Sequence, residues 1–337
     1  MATLPESFIV ARKEFARVAK LAVIGAGMVG RAWAVVFARA GHSVSVYVRR
    51  KESAGPTLTE IGAMLDDLHA QGLIDEPTGG ICARIAITDR LSEALEGAAY
   101  AQENVLETPA AKREIFALMD ECAAAGTILA SSTSAIPCSA FSEGLKGRGR
   151  CIVAHPVNPP HVLPLVELSP APWTSSEVVS QAFELHELLG QVPIIVRKEI
   201  PGFILNRLQG SLLNEAFRLV EEGYATAEDV DKTIKNGLGL RWSFMGPFET
   251  IDLNAPGGIS DYAKRYGPFY HSMAAAQKPP HPWSDELIAK LHAERRTALP
   301  ESERAERLAW RDRRLMALAK HKLAQKKLES KMKEKAE

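Results

Sequence analysis

His155 and Glu167 are the residues whose types and positions point most directly to acid–base chemistry. His155 follows a short apolar run, Cys151–Ala154, and precedes the proline-rich stretch 156–160. Glu167 lies inside another apolar run, Leu165–Leu168, where a carboxylate without a partner is costly. A His–Glu pair removes that cost and holds the imidazole in one tautomer, which predicts a general base that works near pH 7. The alternative is a structural histidine in a turn.

A glycine-rich turn near the beginning of the chain predicts a dinucleotide site. Its glycines have G-x-G-x-x-G spacing and lie between an apolar run, Leu21–Ile24, and a helix-forming run, Arg31–Ala40. In such a turn the glycines let the backbone approach a pyrophosphate, and the N–H groups at the helix start face the phosphates. The predicted cofactor-binding positions are Gly25, Gly27, Met28, Val29 and Gly30.

The residues after the second predicted strand indicate which nicotinamide cofactor is preferred. Units that prefer NAD usually end this strand in Asp or Glu, which binds the ribose 2′-hydroxyl. Here the strand ends in Val48, and Arg49 and Arg50 follow. Because arginine pairs well with phosphate, this pattern favours NADP(H). NAD(H) is the alternative, with both arginines as ordinary solvated charges.

Composition excludes several other classes of protein. The 337 residues include 41 Lys+Arg and 41 Asp+Glu, so there is no overall basic charge to favour nucleic acid. The four cysteines lie far apart without metal-ligand spacing, which predicts no metal site, no disulfide scaffold and a reduced, cytoplasmic location. Because the apolar runs have only strand length, we expect no membrane partner. The cysteines are Cys82, Cys122, Cys138 and Cys151.

Alternating strand-like and helix-like runs predict an α/β Rossmann-like doubly wound sheet followed by an all-α C-terminal domain. The expected divisions are an N-terminal extension (1–19), a dinucleotide-binding domain (20–199), a helical substrate and dimerisation domain (200–300) and a charged helical tail (301–337). The predicted strands are Leu21–Ile24, Ser43–Val48, Arg84–Ile87, Tyr100–Gln102, Thr127–Ser131, Cys151–Ala154, Leu165–Leu168 and Pro193–Val196.

Helical spacing of apolar residues dominates the C-terminal part of the chain. We expect a long helix over Gly202–Glu222, followed by helices at Ala227–Asn236, Gly246–Leu253 and Ser284–Ala293. The lysine-rich tail with interleaved glutamates is typical of a solvated helix or a frayed end. Helical periodicity also covers residues 8–18 of the N-terminal extension, to which the sequence assigns no function.

Over about residues 20–320 the chain resembles the 3-hydroxyacyl-CoA dehydrogenase superfamily, and within it the branch of lambda-crystallin and L-gulonate 3-dehydrogenase. The resemblance implies a nicotinamide-dependent oxidoreductase that forms homodimers through its second domain. It depends on the segments Cys151–Pro160, Pro164–Leu168, Lys198–Gln209, Glu215–Gly223 and Gly237–Ala255.

The resemblance also implies roles for individual residues. His155 matches the catalytic histidine of the superfamily and Glu167 its carboxylate partner. Ser134 and Asn206 match the serine and asparagine that contact the substrate oxygen. Two further positions, Glu107 and Lys112, match the cofactor-side pair of a Glu-x₄-Lys helix. The family is typically NAD-dependent and carries Asp where this chain has Val48.

Arg241 indicates the class of substrate. Acyl-CoA enzymes of the superfamily run directly from a glycine turn into M-G-P-F-E, whereas Leu240–Phe244 precede that motif here. A forked Arg241 contact to the carboxylate of a short free 3-hydroxy acid fits this difference, and a structural arginine that caps a helix is the alternative. The expected small-molecule partner is therefore a 3-hydroxy or 3-keto acid. A 3-hydroxyacyl-CoA dehydrogenase and a non-catalytic, crystallin-like structural protein are the competing interpretations.

Overall fold

The computed structural model describes residues 19–277 and 281–334. One eight-stranded sheet organises the described residues before Arg207, and its strands occur in the order β3-β2-β1-β4-β5-β6-β7-β8. The strands are β1 Lys20–Ile24, β2 Ser43–Tyr47, β3 Ile85–Thr88, β4 Ala98–Glu103, β5 Ile128–Ser131, β6 Cys151–Pro156, β7 Leu165–Pro170 and β8 Val192–Ile195.

Neighbouring strands are parallel except for β6 and β7, which pair antiparallel. The order of the first six strands is that of a doubly wound dinucleotide-binding sheet. This confirms the predicted fold class, and all eight predicted strands are present with ends shifted by two residues or fewer.

Helices cover both faces of the sheet, because successive strand residues point to opposite sides. In β1, Leu21 and Val23 belong to one core cluster, while Ala22 and Ile24 belong to the other. The helices of this region are α1 Met28–Arg39, α2 Ala54–Ala70, α3 Thr78–Cys82, α4 Leu91–Leu95, α5 Pro109–Cys122, α6 Ser139–Ser142 and α7 Ser176–Leu188.

The chain divides into two compact units. The first contains the described residues up to Arg207 and those from Ala309 onward, and the second is Leu208–Leu308. The remaining helices are α8 Leu205–Glu221, α9 Ala227–Thr233, α10 Gly239–Trp242, α11 Pro247–Leu253, α12 Gly258–Ala276, α13 Asp285–Ala298 and α14 Arg304–Glu334.

Several predicted helix bounds were wrong. The helix predicted from Gly202 begins at Leu205, because Gly202 (φ 76°) and Phe203 (φ 47°) are in the left-handed region. The helix predicted for Ala227–Asn236 changes after Thr233 into a π-helical turn, Ile234–Leu238. The helix predicted for Ser284–Ala293 uses Ser284 as its N-cap and continues to Ala298.

The charged tail forms the helix α14, whose described residues are mostly exposed apart from a few positions on one side. In α14, Met316 is 2% exposed and belongs to a core cluster of the first unit, and Leu315 packs against that cluster. The predicted helical periodicity of residues 8–18 lies outside the described residues. Among the described residues, no helix is both long and apolar enough to span a bilayer.

Candidate active site

The His155–Glu167 pair is formed by two neighbouring antiparallel strands. His155 in β6 and Glu167 in β7 are direct register partners, so their side chains point to the same face. The Nδ1 atom of His155 lies 2.8 Å from Oε2 of Glu167. Since a carboxylate accepts, Nδ1 donates, which leaves Nε2 available at the end of the strand. The exposed fractions are only 5% for His155 and 0% for Glu167.

The second oxygen of Glu167 is bound by backbone. Its Oε1 atom accepts the N–H groups of Ile204 and Leu205, each at 2.9 Å, at the start of α8. The free N–H groups and dipole of a helix start favour a carboxylate. Phe203 is fully buried, and its ring lies 5.5 Å from the His155 ring between centroids. The imidazole is therefore fixed by both a hydrogen bond and an aromatic contact.

Ser134 and Asn206 are in contact, because residues 202–206 are hydrogen-bonded to the loop that contains Ser134. The side-chain amide of Asn206 donates to the carbonyl of Ser134 at 2.6 Å, and the N–H of Gly202 donates to the carbonyl of Ala135 at 3.3 Å. Residues 202–206 therefore contact both the Ser134 loop and Glu167. The structure thus brings His155, Glu167, Ser134 and Asn206 together through this segment.

Glu107 organises the Ser134 loop. Its Oε1 atom accepts from the Thr133 hydroxyl at 2.6 Å and from the N–H and hydroxyl of Ser134 at 2.7 and 3.2 Å. Burial raises the pKa of Glu107, but the Thr133 hydroxyl, the Lys112 ammonium and the Ser134 N–H outweigh burial and lower that pKa below its usual value. Glu107 thus remains a carboxylate at neutral pH.

Lys112 is enclosed by acidic side chains. Its ammonium lies 3.1 and 3.0 Å from the two oxygens of Glu103 and 3.2 Å from Oε2 of Glu107, and Lys112 is 1% exposed. Glu107 precedes α5 instead of lying on it, because Thr108 is the N-cap of that helix. Glu107 and Lys112 were predicted on one helix, and in the structure they form an ion pair across its N-terminus. Glu107 is half-exposed, so it is the member of the pair that solvent or a ligand can reach.

The glycine turn fits a dinucleotide. Gly25 has φ 100°, and a Cβ there would lie 2.9 Å from the carbonyl oxygen of Asn104; a Cβ on Gly30 would lie 1.9 Å from the Gly25 oxygen. A Cβ on Gly27 would meet nothing within 4 Å, so this position borders open space where a pyrophosphate fits. No side chain caps the start of α1, where Met28 is 61% exposed. The N–H groups of this helix start are available to phosphate.

Arg49 and Arg50 lie beside that turn. They follow Tyr47, the register partner of Ile24 at the end of β1, and the carbonyl of Tyr47 accepts the N–H of Gly25 at 3.1 Å. Both arginines are exposed, and no hydrogen bond or ion pair holds either side chain within residues 19–277 and 281–334. They are accessible to a 2′-phosphate.

Arg241 lies in the second unit, on the short helix α10. A π-helical turn precedes it, and Gly239 is required there because a Cβ would lie 2.9 Å from the carbonyl oxygen of Ile234. The exposed guanidinium has no ion pair or hydrogen bond to a helix carbonyl in the described parts of the chain. The helix-capping alternative is thus not seen, and the arginine is free to bind an anion.

Sequence reasoning missed a polar network centred on the half-buried Ser132, next to the turn. Ser132 accepts from the indole of Trp33 at 3.0 Å and from the amide of Gln102 at 2.7 Å, and it donates to Asn104 at 2.8 Å. The polar residues at the ends of β4 and β5 are the sequence feature that could have indicated this network. No group of three or more His, Cys, Asp or Glu that could hold a metal ion occurs among the described residues.

A mostly parallel sheet with this glycine turn and a buried His–Glu pair on two neighbouring strands defines a nicotinamide-dependent oxidoreductase. The model of the 3-hydroxyacyl-CoA dehydrogenase NAD-binding domain matches residues 20–200, and the model of that family's C-terminal domain matches residues 202–300. The chain belongs to the 3-hydroxyacyl-CoA dehydrogenase family.

Relatives and solved structures agree with this assignment. The lambda-crystallin homolog of Bos taurus is 39% identical over 90% of this chain and 97% of the relative. The L-carnitine dehydrogenase of Streptomyces griseus is 35% identical over 74% of each chain. The structure of 5-formyl-3-hydroxy-2-methylpyridine 4-carboxylic acid 5-dehydrogenase, an NAD+-dependent dismutase, has a TM-score of 0.78 and 27% identity over 90% of this chain and 97% of that one.

Proposed function

We propose that this protein interconverts a short, free 3-hydroxy acid and its 3-keto acid, with His155 as general base and acid. The observation that carries the proposal is the 2.8 Å contact between His155 and Glu167, which fixes one imidazole nitrogen and leaves the other for substrate. Alcohol oxidation needs one base near pH 7 and one hydride acceptor. When bound, the nicotinamide accepts the hydride from C3 in oxidation and returns it in reduction.

The chain's own residues move one proton and hold one oxygen. In oxidation, Nε2 of His155 takes the proton of the C3 hydroxyl, and the Glu167 carboxylate stabilises the imidazolium that forms. Ser134 now donates its hydroxyl to Glu107, and we infer that it turns to the substrate oxygen on binding, together with the second N–H of Asn206. In reduction the same Nε2–H protonates the alcoholate.

The free-acid substrate is supported by Arg241 and by relatives. The guanidinium of Arg241 is exposed and forms no ion pair with any carboxylate among the described residues, which suits bidentate binding of a substrate carboxylate. A relative named L-carnitine dehydrogenase and a similar structure named for a carboxylic acid both point to acids as substrates. A relative named 3-hydroxyacyl-CoA dehydrogenase, 35% identical over 73% of this chain, keeps the thioester as the competing substrate.

We also propose that the cofactor is NADP(H). Val48 is 3% exposed and cannot replace the carboxylate that binds a ribose 2′-hydroxyl, while Arg49 and Arg50 are exposed beside the turn. NAD(H) is the alternative, and it is favoured by the NAD-binding description of the family.

A homodimer and a cytoplasmic location complete the proposal. The second unit exposes large apolar side chains, which monomers rarely gather in number. They include Leu208 (63%), Phe248 (74%), Leu253 (67%) and Phe269 (57%). Sedimentation equilibrium tests the dimer directly.

All four cysteines are free thiols, which suits a reducing compartment.

The deciding experiment is a substrate panel with both cofactors, followed by His155→Gln on the best substrate. The panel contains L-gulonate, L-carnitine, 3-hydroxybutyrate and acetoacetyl-CoA. We expect turnover of a free acid and a loss of about a hundredfold or more in kcat for His155→Gln. Turnover of acetoacetyl-CoA alone would establish the thioester enzyme. Cofactor binding without turnover of any substrate, unchanged in His155→Gln, would instead favour the structural protein.

A further inference from the structure

Gln102 lies at the end of β4 and connects two parts of the candidate site. It is fully buried, and its amide nitrogen donates to two acceptors, the Ser132 hydroxyl at 2.7 Å and the Ala154 carbonyl at 3.0 Å. Ala154 directly precedes His155. Pairing between β5 and β6 ends one residue earlier, at Ser131 and Val153, so the amide binds a β6 carbonyl just beyond the ladder.

Ser132 carries this connection to the cofactor turn. Its oxygen also accepts the indole N–H of Trp33, a residue of α1, at 3.0 Å, and its hydrogen goes to Oδ1 of Asn104 at 2.8 Å. Asn104 lies directly beneath Gly25, because its carbonyl oxygen is 2.9 Å from a Cβ placed there, and its N–H donates to Ile24 at 2.8 Å. Both lone pairs and the hydrogen of Ser132 are thus used.

The orientation of the Gln102 amide has only one solution. The Ala154 carbonyl can only accept, so the nitrogen of the amide must face it. The amide oxygen then faces the Tyr100 hydroxyl, which donates at 2.6 Å. Tyr100 in turn lies 3.1 Å from Nε2 of His186, and burial lowers the pKa of His186 to about 3. Because the Tyr100 hydrogen goes to Gln102, the neutral imidazole donates its Nε2–H to the Tyr100 oxygen. Every donor of this hydrogen-bond network therefore has a fixed direction.

We propose that Gln102 is a positioning residue that holds His155 in register with the cofactor turn. One amide hydrogen fixes the peptide next to the base, and the other fixes the serine that holds α1 and Asn104 in place. This inference rests on the proposed role of His155 in proton transfer. A displacement of about 1 Å between base and reacting atoms can lower a rate by roughly a hundredfold, so the amide affects kcat without touching substrate.

Gln102→Met tests the proposal, with Tyr100→Phe as the matched control. Methionine has a similar length and removes both amide hydrogens. Phenylalanine also removes a buried polar group of the same network but leaves both Gln102 donations intact. We expect kcat to fall roughly ten- to a hundredfold in Gln102→Met, with KM and the cofactor dissociation constant changed by less than about threefold. Tyr100→Phe should keep kcat within about threefold.

A spectroscopic readout separates this inference from the proposed function. The Nδ1 proton of His155 bound to Glu167 should give a downfield NMR resonance that disappears in His155→Gln. We expect this resonance to move or broaden in Gln102→Met and to stay unchanged in Tyr100→Phe. The measurement needs no turnover, so it stands even where His155→Gln retains activity and the proposed base is wrong.

For Gln102→Met, two results would overturn the proposal. One is wild-type kcat and an unmoved resonance in folded Gln102→Met. The other is an equal loss in both variants, because the effect would then follow core packing. Where Gln102→Met does not fold, Gln102→Glu replaces it: it keeps the side-chain shape but has at most one donor, so at least one of the contacts to Ser132 and Ala154 is lost. We expect the same loss of kcat, and wild-type kcat in Gln102→Glu would also contradict the positioning role.

Discussion

The Glu167 carboxylate contacts the ring of His155 with one oxygen and the N-terminus of α8 with the other, so that each oxygen has its own fixed partners. The first contact, at 2.8 Å, selects the tautomer of His155. The second contact sets the position of the carboxylate itself. The imidazole is therefore oriented by a group with fixed partners on both sides, which is the arrangement that the proposed proton transfer by His155 requires.

Glu167→Gln tests this orientation. The amide keeps the size of the side chain and removes the charge that stabilises the imidazolium. We expect kcat to fall by about a hundredfold or more, since a neutral partner also permits the wrong tautomer. Steady-state kinetics with the best panel substrate measures the loss. Glu177→Gln, an exposed change on α7, is the matched control. A kcat within about threefold of wild type would show that the pair is structural.

The proposed preference for NADP(H) depends on the two arginines after β2. In the wild type we expect NADPH to bind at least about tenfold more tightly than NADH, because a 2′-phosphate pairs with a guanidinium fork. The double variant Arg49→Ala/Arg50→Ala should lose that margin while its affinity for NADH stays the same. Fluorescence titration of each reduced cofactor measures both constants.

Arg90→Ala is the control for general charge effects, since Arg90 pairs with Glu93 on the surface. If NADH binds as well as NADPH to the wild type, Arg49 and Arg50 are surface charges and the chain is an NAD enzyme.

Arg241→Ala distinguishes the free acid from the thioester. Loss of a charge-assisted, forked contact should raise KM for a free 3-hydroxy acid by roughly ten- to a hundredfold and leave acetoacetyl-CoA kinetics nearly unchanged. Arg241→Lys should recover only part of the loss, because an ammonium lacks the fork. Unchanged KM for the acid in Arg241→Ala would remove this residue from the substrate site.

Strand positions and the His155–Glu167 pair were predictable because they depend on local pattern. Apolar runs show the strands, and a carboxylate inside such a run requires a partner. Helix ends were less predictable. The start of α8 depends on left-handed backbone at Phe203, and α12, which was not predicted, contains Pro268, a residue type that disfavours a helix interior.

The network around Gln102 was not predictable from periodicity. Ser132 and Asn104 are common residues at strand ends, and nothing local shows that Ser132 accepts the indole N–H of Trp33, 99 residues away in sequence, or donates to Asn104. The burial of Met316 in the C-terminal tail was not predictable for a related reason. Met316 is one of several apolar residues in a charged helix, and only tertiary packing reveals which of them are covered.

Met316→Ala tests the packing of that tail. Truncation of a buried methionine should lower the free energy of unfolding of the protein by about 2–5 kcal/mol. Met332→Ala, on the same helix at a position that is 71% exposed, should change it by less than about 0.5 kcal/mol. Urea denaturation followed by circular dichroism measures both. Equal, small effects would mean that Met316 does not pack in this core cluster in solution.

The pH dependence of stability should come in part from buried histidines that stay neutral. Burial lowers the pKa of His186 to about 3, from an ordinary value of 6.5. Between these values the unfolded chain binds a proton that the folded chain does not, so stability falls as pH falls below 6.5. Near pH 5 this one group should contribute a slope of about 1.4 kcal/mol per pH unit. His161, whose pKa burial lowers to about 4, acts with the same sign.

His186→Phe removes this group while keeping an aromatic ring between Trp33 and Tyr100. We expect the slope of unfolding free energy against pH, measured by urea denaturation from pH 5 to 7, to decrease by about 1.4 kcal/mol per pH unit at its acidic end. The absolute stability at pH 7 should also fall, because the Tyr100 hydroxyl loses its donor. His69→Phe, at an exposed position on α2, should leave the slope unchanged. An unchanged slope in His186→Phe would mean that His186 binds the same number of protons in the folded and unfolded chains.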